Sequence, residues 1–135
     1  MEQFAAYGHA IASLAIWALI VTALMGLSTR GRNAEDRAVC GKPKRNYDNQ
    51  WYRSERALMN AVEMSGPFIG ATVAAILAGA SPFWVNVLAA VFVVSRIATA
   101  VVHIWTTNQP MRSLFWAVSF FIVLAMAILA LIGVF

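Results

Sequence analysis

Arg53, Arg56, Asn60, Glu63 and Pro67 follow one another at steps of three or four residues, which in a helix of 3.6 residues per turn sets all five on one side. Such a stripe offers guanidiniums, an amide and a carboxylate to one ligand. Arg96, Thr99 and His103 repeat the arrangement at i, i+3 and i+7, again on a single helical face. Pro110-Met-Arg112-Ser113 adds another arginine and a hydroxyl. Asn108 suits a helix cap and Pro110 a first helical position, so Arg112 is expected in the first turn. Free backbone donors, the positive end of the helix dipole and a guanidinium together favour an anion there. Phosphate, carboxylate and thiolate all satisfy that requirement.

The elements that carry these residues are membrane helices. The chain has 135 residues, 61% hydrophobic and 12% charged, too few charges to cover a soluble domain of this size. A helical span of the ~30 Å hydrocarbon core needs about 20 apolar residues. Four stretches qualify, near 7–27, 57–79, 82–105 and 112–135, leaving a polar loop at 28–55. The first lacks a basic start and a small-residue cleavage site, so it reads as a retained helix. Tight connections at Gly79-Ala-Ser-Pro82 and Thr106–Pro110 make consecutive helices antiparallel neighbours. The expected fold is all-α, an integral membrane up-down four-helix bundle forming one domain over 1–135. Within the long loop, Ala34–Val39 is expected to form a helical turn.

Eight of the ten Lys and Arg, from Arg30 to Arg56, lie between the first two helices or at their edge, and Arg112 lies in the next loop on that side. The positive-inside rule therefore predicts a cytoplasmic loop and both termini on the opposite side. The basic loop is a topology signal that also suits anionic lipid headgroups. It lacks the aromatic interleaving of a nucleic-acid surface, so no nucleic-acid partner is expected. Cys40 is the single cysteine, in a loop assigned to a reducing compartment, which leaves no disulfide and no cysteine-rich metal site.

Glu63 lies seven residues beyond Arg56, roughly 10 Å deeper by helical rise, and an ionisable group at that depth is a functional candidate. Pro67 removes the hydrogen bond to the Glu63 carbonyl. Arg96 falls at comparable depth on the third helix, and an unpaired arginine there costs at least about 2.5 kcal/mol, so a Glu63–Arg96 pair is expected. Gly66 and Gly70 form a small-xxx-small helix-contact pattern. His9 and Asn86 lie toward the opposite membrane face and read as interhelical polar groups, while Trp51, Trp84, Trp105 and Trp116 read as interfacial belt residues.

Arg56-Ala-Leu-Met-Asn60-Ala-Val-Glu63, Arg96-Ile-Ala-Thr-Ala-Val-Val-His103 and Pro110-Met-Arg112-Ser113 resemble the MAPEG family, membrane-associated proteins in eicosanoid and glutathione metabolism. The resemblance covers most of the chain from Arg30 onward and looks closest to the microsomal prostaglandin E synthase and microsomal glutathione transferase branch. It implies a homotrimer with glutathione held between subunits near the cytoplasmic side. It also implies that Arg112 stabilises the glutathione thiolate, with Ser113 beside the thiol. By the same resemblance Arg56, Asn60 and Glu63 hold the tripeptide, Arg96 supports them, and Asp36 looks like the loop acid of that branch; Arg53, Thr99 and His103, on the same polar helical faces, are further candidates for binding it. Two departures stand out: His103 replaces a common tyrosine, and Met64 follows Glu63 where an aromatic is common.

Glutathione bears two carboxylates, an ammonium and a thiol, and the three clusters supply a matching set of groups. The leading expectation is a glutathione-dependent transferase or peroxidase acting on lipophilic electrophiles from the bilayer, in a bacterial inner membrane or the endoplasmic reticulum. The alternative, favoured by His103 and Met64, is a non-catalytic lipid- or small-molecule-binding member of the same fold. A small proton-coupled exporter fits less well, since the first helix has no embedded acid.

Overall fold

The computed structural model describes residues 2–30 and 33–135; Gly31 and Arg32, read above as part of the basic loop, lie outside them. A 3-10 turn, Glu2–Tyr7, leads into α1 (Gly8–Ser28), followed by α2 (Gln50–Leu77), α3 (Pro82–Trp105) and α4 (Gln109–Val134). All four helices are long and apolar enough to cross a membrane, as expected. α1 and α4 each pack against both α2 and α3.

α1 is apolar all round, so only its burial pattern separates its faces. Ala10, Ser13, Trp17, Leu24 and Ser28 are buried, a stripe at steps of three, four or seven residues, and Leu14, Ile20, Val21 and Leu27 pack partly buried beside it. Large apolar side chains such as Leu19, Leu77, Val94 and Leu131 are well exposed, as a bilayer solvent permits and water does not.

The core sits where α1, α2 and α3 cross. Phe68 and Phe92 stack with centroids 3.8 Å apart, and Trp17 meets Phe92 edge-on at 5.3 Å. The Trp17 Nε1–H donates to Ser65 Oγ at 3.0 Å, satisfying the one polar atom of a side chain only 1% exposed. On the α3–α4 seam the buried hydroxyls of Ser95 and Ser119 share a 2.8 Å hydrogen bond.

At the far end from the long loop, Asn86 joins α3 to the start of α1. Its Oδ1 accepts from the Ala10 N–H at 2.9 Å and its Nδ2 donates to the Ala6 carbonyl at 2.7 Å. The expected interhelical role thus holds for Asn86, whereas the His9 side chain is exposed. α4 comes close to the α2–α3 connection here: a Cβ on Gly133 would lie 3.0 Å from the Ala78 carbonyl oxygen. A Cβ added at Gly66 or Gly70 would meet nothing within 4 Å among the described residues, so no close helix contact is made at this pair within the chain.

Several boundaries differ from expectation for local reasons. α2 begins at Gln50 rather than near 57, because Asn49 Oδ1 accepts from the Trp51 N–H at 2.8 Å and caps the helix early. α4 begins at Gln109 rather than 112, capped by Asn108, whose Oδ1 accepts from the Met111 N–H at 3.1 Å. Pro110 is consequently the second helical residue. The helical turn expected at Ala34–Val39 is replaced by a small bridge between Arg37 and Pro43, closed by Ala38 N–H donating to the Lys42 carbonyl at 2.9 Å. Gly41, at φ 81°, permits that reversal. The loop is then fastened to α2 by a Lys42–Glu55 ion pair at 3.1 Å.

Candidate functional site

Three helices converge on a cleft of about 660 Å³ at the end that carries the long loop, within the usual range for small-molecule sites. α2 contributes Asn60 and Glu63, and α3 contributes Thr99 and His103. The first two turns of α4 add Gln109, Arg112, Ser113 and Trp116, and Tyr47 closes the wall from the loop. The helical spacing of the three sequence clusters is what brings them together, since each places its polar residues on one face.

The cleft's buried polar nitrogens are incompletely used. Arg112 Nη1 and His103 Nε2 are both buried without a hydrogen-bond partner among the described residues, and His103 is only 8% exposed. Buried polar atoms are normally paired, so a cleft holding two such atoms is suited to a polar or anionic ligand. Arg112, Arg56, Arg96 and Arg53 all lie within electrostatic reach of His103. Ser113 is exposed beside Arg112, whereas the Thr99 hydroxyl already donates to the Ser95 carbonyl at 2.8 Å.

Arg96 sits below this cleft in the core, 2% exposed. Its Nη2 donates to Asn60 Oδ1 at 2.6 Å, and its guanidinium carbon lies 5.9 Å from the Trp17 ring centroid, within cation–π range. Nε and Nη1 have no hydrogen-bond partner among the described residues. The expected direct Glu63–Arg96 pair is not formed. Glu63 is three residues past Asn60, a step that turns it about 60° around the helix axis, and its side chain is exposed where the cleft meets the adjoining groove. Its charge acts on Arg96 through space, and Asn60 makes the contact instead.

Three more candidates, Arg53, Asp36 and Arg56, lie outside the cleft lining. The Arg53 guanidinium is committed to backbone: Nε donates to the Ile104 carbonyl at 3.0 Å, and Nη1 to the carbonyls of Tyr47 at 2.6 Å and Asp48 at 3.0 Å. It clamps the loop to the last turn of α3. Asp36 is exposed in the loop, where its carbonyl accepts from the Lys44 N–H at 2.7 Å. Arg56 is half-buried on α2, one turn before Asn60.

The polar cleft opens into an apolar groove along the α2–α4 seam. Glu63 and Trp116 line both the cleft and an adjoining space of about 430 Å³. Pro67, Val123 and Ala127 continue that space into another of about 540 Å³, floored by Gly66 and Gly70. Met64 is buried at the edge of the groove.

Sequence reading missed Tyr47, Trp17 and the cleft-facing role of Trp116. Tyr47 gave no periodic signal because it lies in a loop, and Trp17 sits in a helix whose apolar residues mark no face. Trp116 does stand one turn after Arg112, a spacing that places the two together.

Fold and cleft define a four-helix membrane protein with an anion-suited site at one end of the bundle and an apolar groove leading from it. The MAPEG family model matches residues 5–132, and the chain belongs to the MAPEG family. No curated protein matches the chain.

Proposed function

We propose that this chain binds glutathione in the α2–α3–α4 cleft and activates its thiol for attack on lipophilic electrophiles, as a transferase or peroxidase of the prostaglandin E synthase and glutathione transferase branch. The observation that carries the reading is the pair of partnerless buried nitrogens, Arg112 Nη1 and His103 Nε2, in one cleft with Ser113, Asn60 and Glu63. Glutathione, when bound, supplies a sulfur nucleophile together with two carboxylates and an ammonium. Arg112 lies at the start of α4, where guanidinium charge and helix dipole both favour a sulfur anion. Arg56 and Asn60 offer donors to carboxylates, and Glu63 offers a partner to the ammonium. The groove on α2 and α4 gives an apolar reactant a route from the bilayer to the thiol.

Glu63 also supports a homotrimeric assembly. A carboxylate exposed on a membrane helix is costly against lipid, and ligand plus a neighbouring subunit would cover it. Asp36, away from the cleft of its own chain, is a candidate to reach a neighbour's.

Calorimetric titration of nanodisc-embedded protein with glutathione tests the reading, and saturable binding at or below millimolar concentration is expected. An absence of heat at millimolar glutathione would overturn it in favour of a non-catalytic ligand-binding role.

The same reading places the cleft and loop on the cytoplasmic side. Cys40, exposed in the loop, is expected to react with an impermeant maleimide added from the cytoplasmic face, while a cysteine placed at residue 135 reacts only from the other. The reverse labelling pattern would overturn the topology.

A further inference from the structure

Tyr47 belongs to none of the polar helix faces, yet the fold goes to some length to hold it over Arg112. Its ring centroid lies 5.1 Å from the Arg112 guanidinium carbon. The neighbouring Tyr52 ring meets it edge-on, with centroids 5.2 Å apart and an interplanar angle of 89°, fixing Tyr47 from the α2 side. Its carbonyl accepts from Arg53 Nη1 at 2.6 Å, and Arg53 Nε reaches the Ile104 carbonyl at 3.0 Å, so the backbone at Tyr47 is tied to the end of α3. The turn that follows is closed by Asn46, whose Oδ1 accepts from the Asp48 N–H at 3.0 Å and whose carbonyl accepts from the Asn49 N–H at 3.2 Å. Asn49 in turn caps α2. One loop residue is thus braced by α2 and α3 while its ring lies against the first turn of α4.

An arginine at a helix start with a partnerless nitrogen has many rotamers open to it, most of them leading to water. A fixed aromatic face removes that freedom, since a guanidinium is held flat on a ring electrostatically and by stacking without using its N–H donors. Those donors remain available to a ligand. Tyr47 is 38% exposed, so the contact is partly shielded from water.

We propose that Tyr47 is a positioning residue for Arg112: its ring face fixes the guanidinium at the cleft wall with Nη1 free for the anion that the site takes. The assignment of that anion as the glutathione thiolate rests on the proposed function, whereas the Tyr47–Arg112 contact does not.

The experiment separates the two. Without any ligand, modification of Arg112 by phenylglyoxal is followed by peptide mass spectrometry in wild-type protein, Tyr47→Phe and Tyr47→Leu. Tyr47→Phe keeps the ring face and should modify at the wild-type rate, while Tyr47→Leu should modify several-fold faster. With glutathione and chlorodinitrobenzene, Tyr47→Leu should lower kcat by about three- to ten-fold, the range of a half-shielded cation–π contact. KM for glutathione should stay within two-fold, and Tyr47→Phe should restore kcat. Equal modification rates in all three proteins overturn the proposal whatever the activity data give. A Tyr47→Phe variant as impaired as Tyr47→Leu also overturns it, because the hydroxyl rather than the face would then be acting. Loss of glutathione binding in wild-type protein counts against the proposed function and leaves the modification result to decide the role of Tyr47.

Discussion

Arg112→Ala is expected to lower kcat toward chlorodinitrobenzene by about ten-fold or more, the scale of one lost electrostatic stabiliser, while glutathione affinity stays within several-fold. The proposed partner of Arg112 is the sulfur anion, which carries its charge only when activated, so the guanidinium acts on the reacting state more than on binding. Its local geometry serves that end: Asn108 caps α4 through the Met111 N–H, and Tyr47 covers the guanidinium, leaving Nη1 free. Arg56→Ala should do the opposite, weakening affinity with little change in kcat, because a guanidinium–carboxylate contact is a binding interaction in every state. Thiolate absorbance and steady-state conjugation in nanodiscs distinguish the two. Normal turnover by Arg112→Ala would remove the residue from the mechanism and turn attention to His103, the other cleft residue with a partnerless nitrogen.

The second large effect is expected at Asn60, through stability. Asn60 Oδ1 is the acceptor for a guanidinium that is 2% exposed, and the remaining nitrogens of Arg96 have no hydrogen-bond partner among the described residues. Asn60→Leu leaves that charge in the core without an acceptor, at a cost of about 1.5–3 kcal/mol for a lost hydrogen bond to a charged group. The melting temperature in nanodiscs should fall by several degrees. Asn60→Leu combined with Arg96→Met removes both partners and should recover most of the loss, since replacing a buried polar pair with apolar groups is often neutral or better. Glutathione affinity should not recover, because Asn60 is also a wall of the cleft. Purely additive losses in the double variant would show that Asn60 and Arg96 are not energetically coupled.

The number of helices, their order and their apolar character were legible from the sequence because each is a local property. A run of about 20 apolar residues must satisfy its own backbone in a bilayer, and it does so wherever its neighbours stand. The Asn108 cap and the single-sided polar faces of α2 and α3 are equally local, set by hydrogen bonds and spacing within one element. For the same reason Asn60, Glu63, Thr99, His103, Arg112 and Ser113 could be named as a group in advance, and the fold brings them to one cleft.

What the helices do to one another is a different kind of information. Periodicity says that Glu63 and Arg96 lie on polar faces at matching depth, but the rotation of α2 about its axis decides which residue meets the guanidinium. Sixty degrees of rotation separate Asn60 from Glu63, and packing around Phe68 and Phe92 set it in favour of the amide. Trp17 is indistinguishable from a lipid-facing residue in a helix with apolar residues on every side until α1 docks with that side inward. Arg53 was legible as a charge on the right face, yet its donors went to three loop and helix-end carbonyls that exist as a group only after the chain has folded. Tyr47 reaches Arg112 across 65 positions of sequence through a loop pinned at Lys42 and Arg53. Sequence fixes what lies within a few turns of the same helix, where covalent geometry sets the distances; contacts between helices depend on rotations and offsets that only the packed core selects.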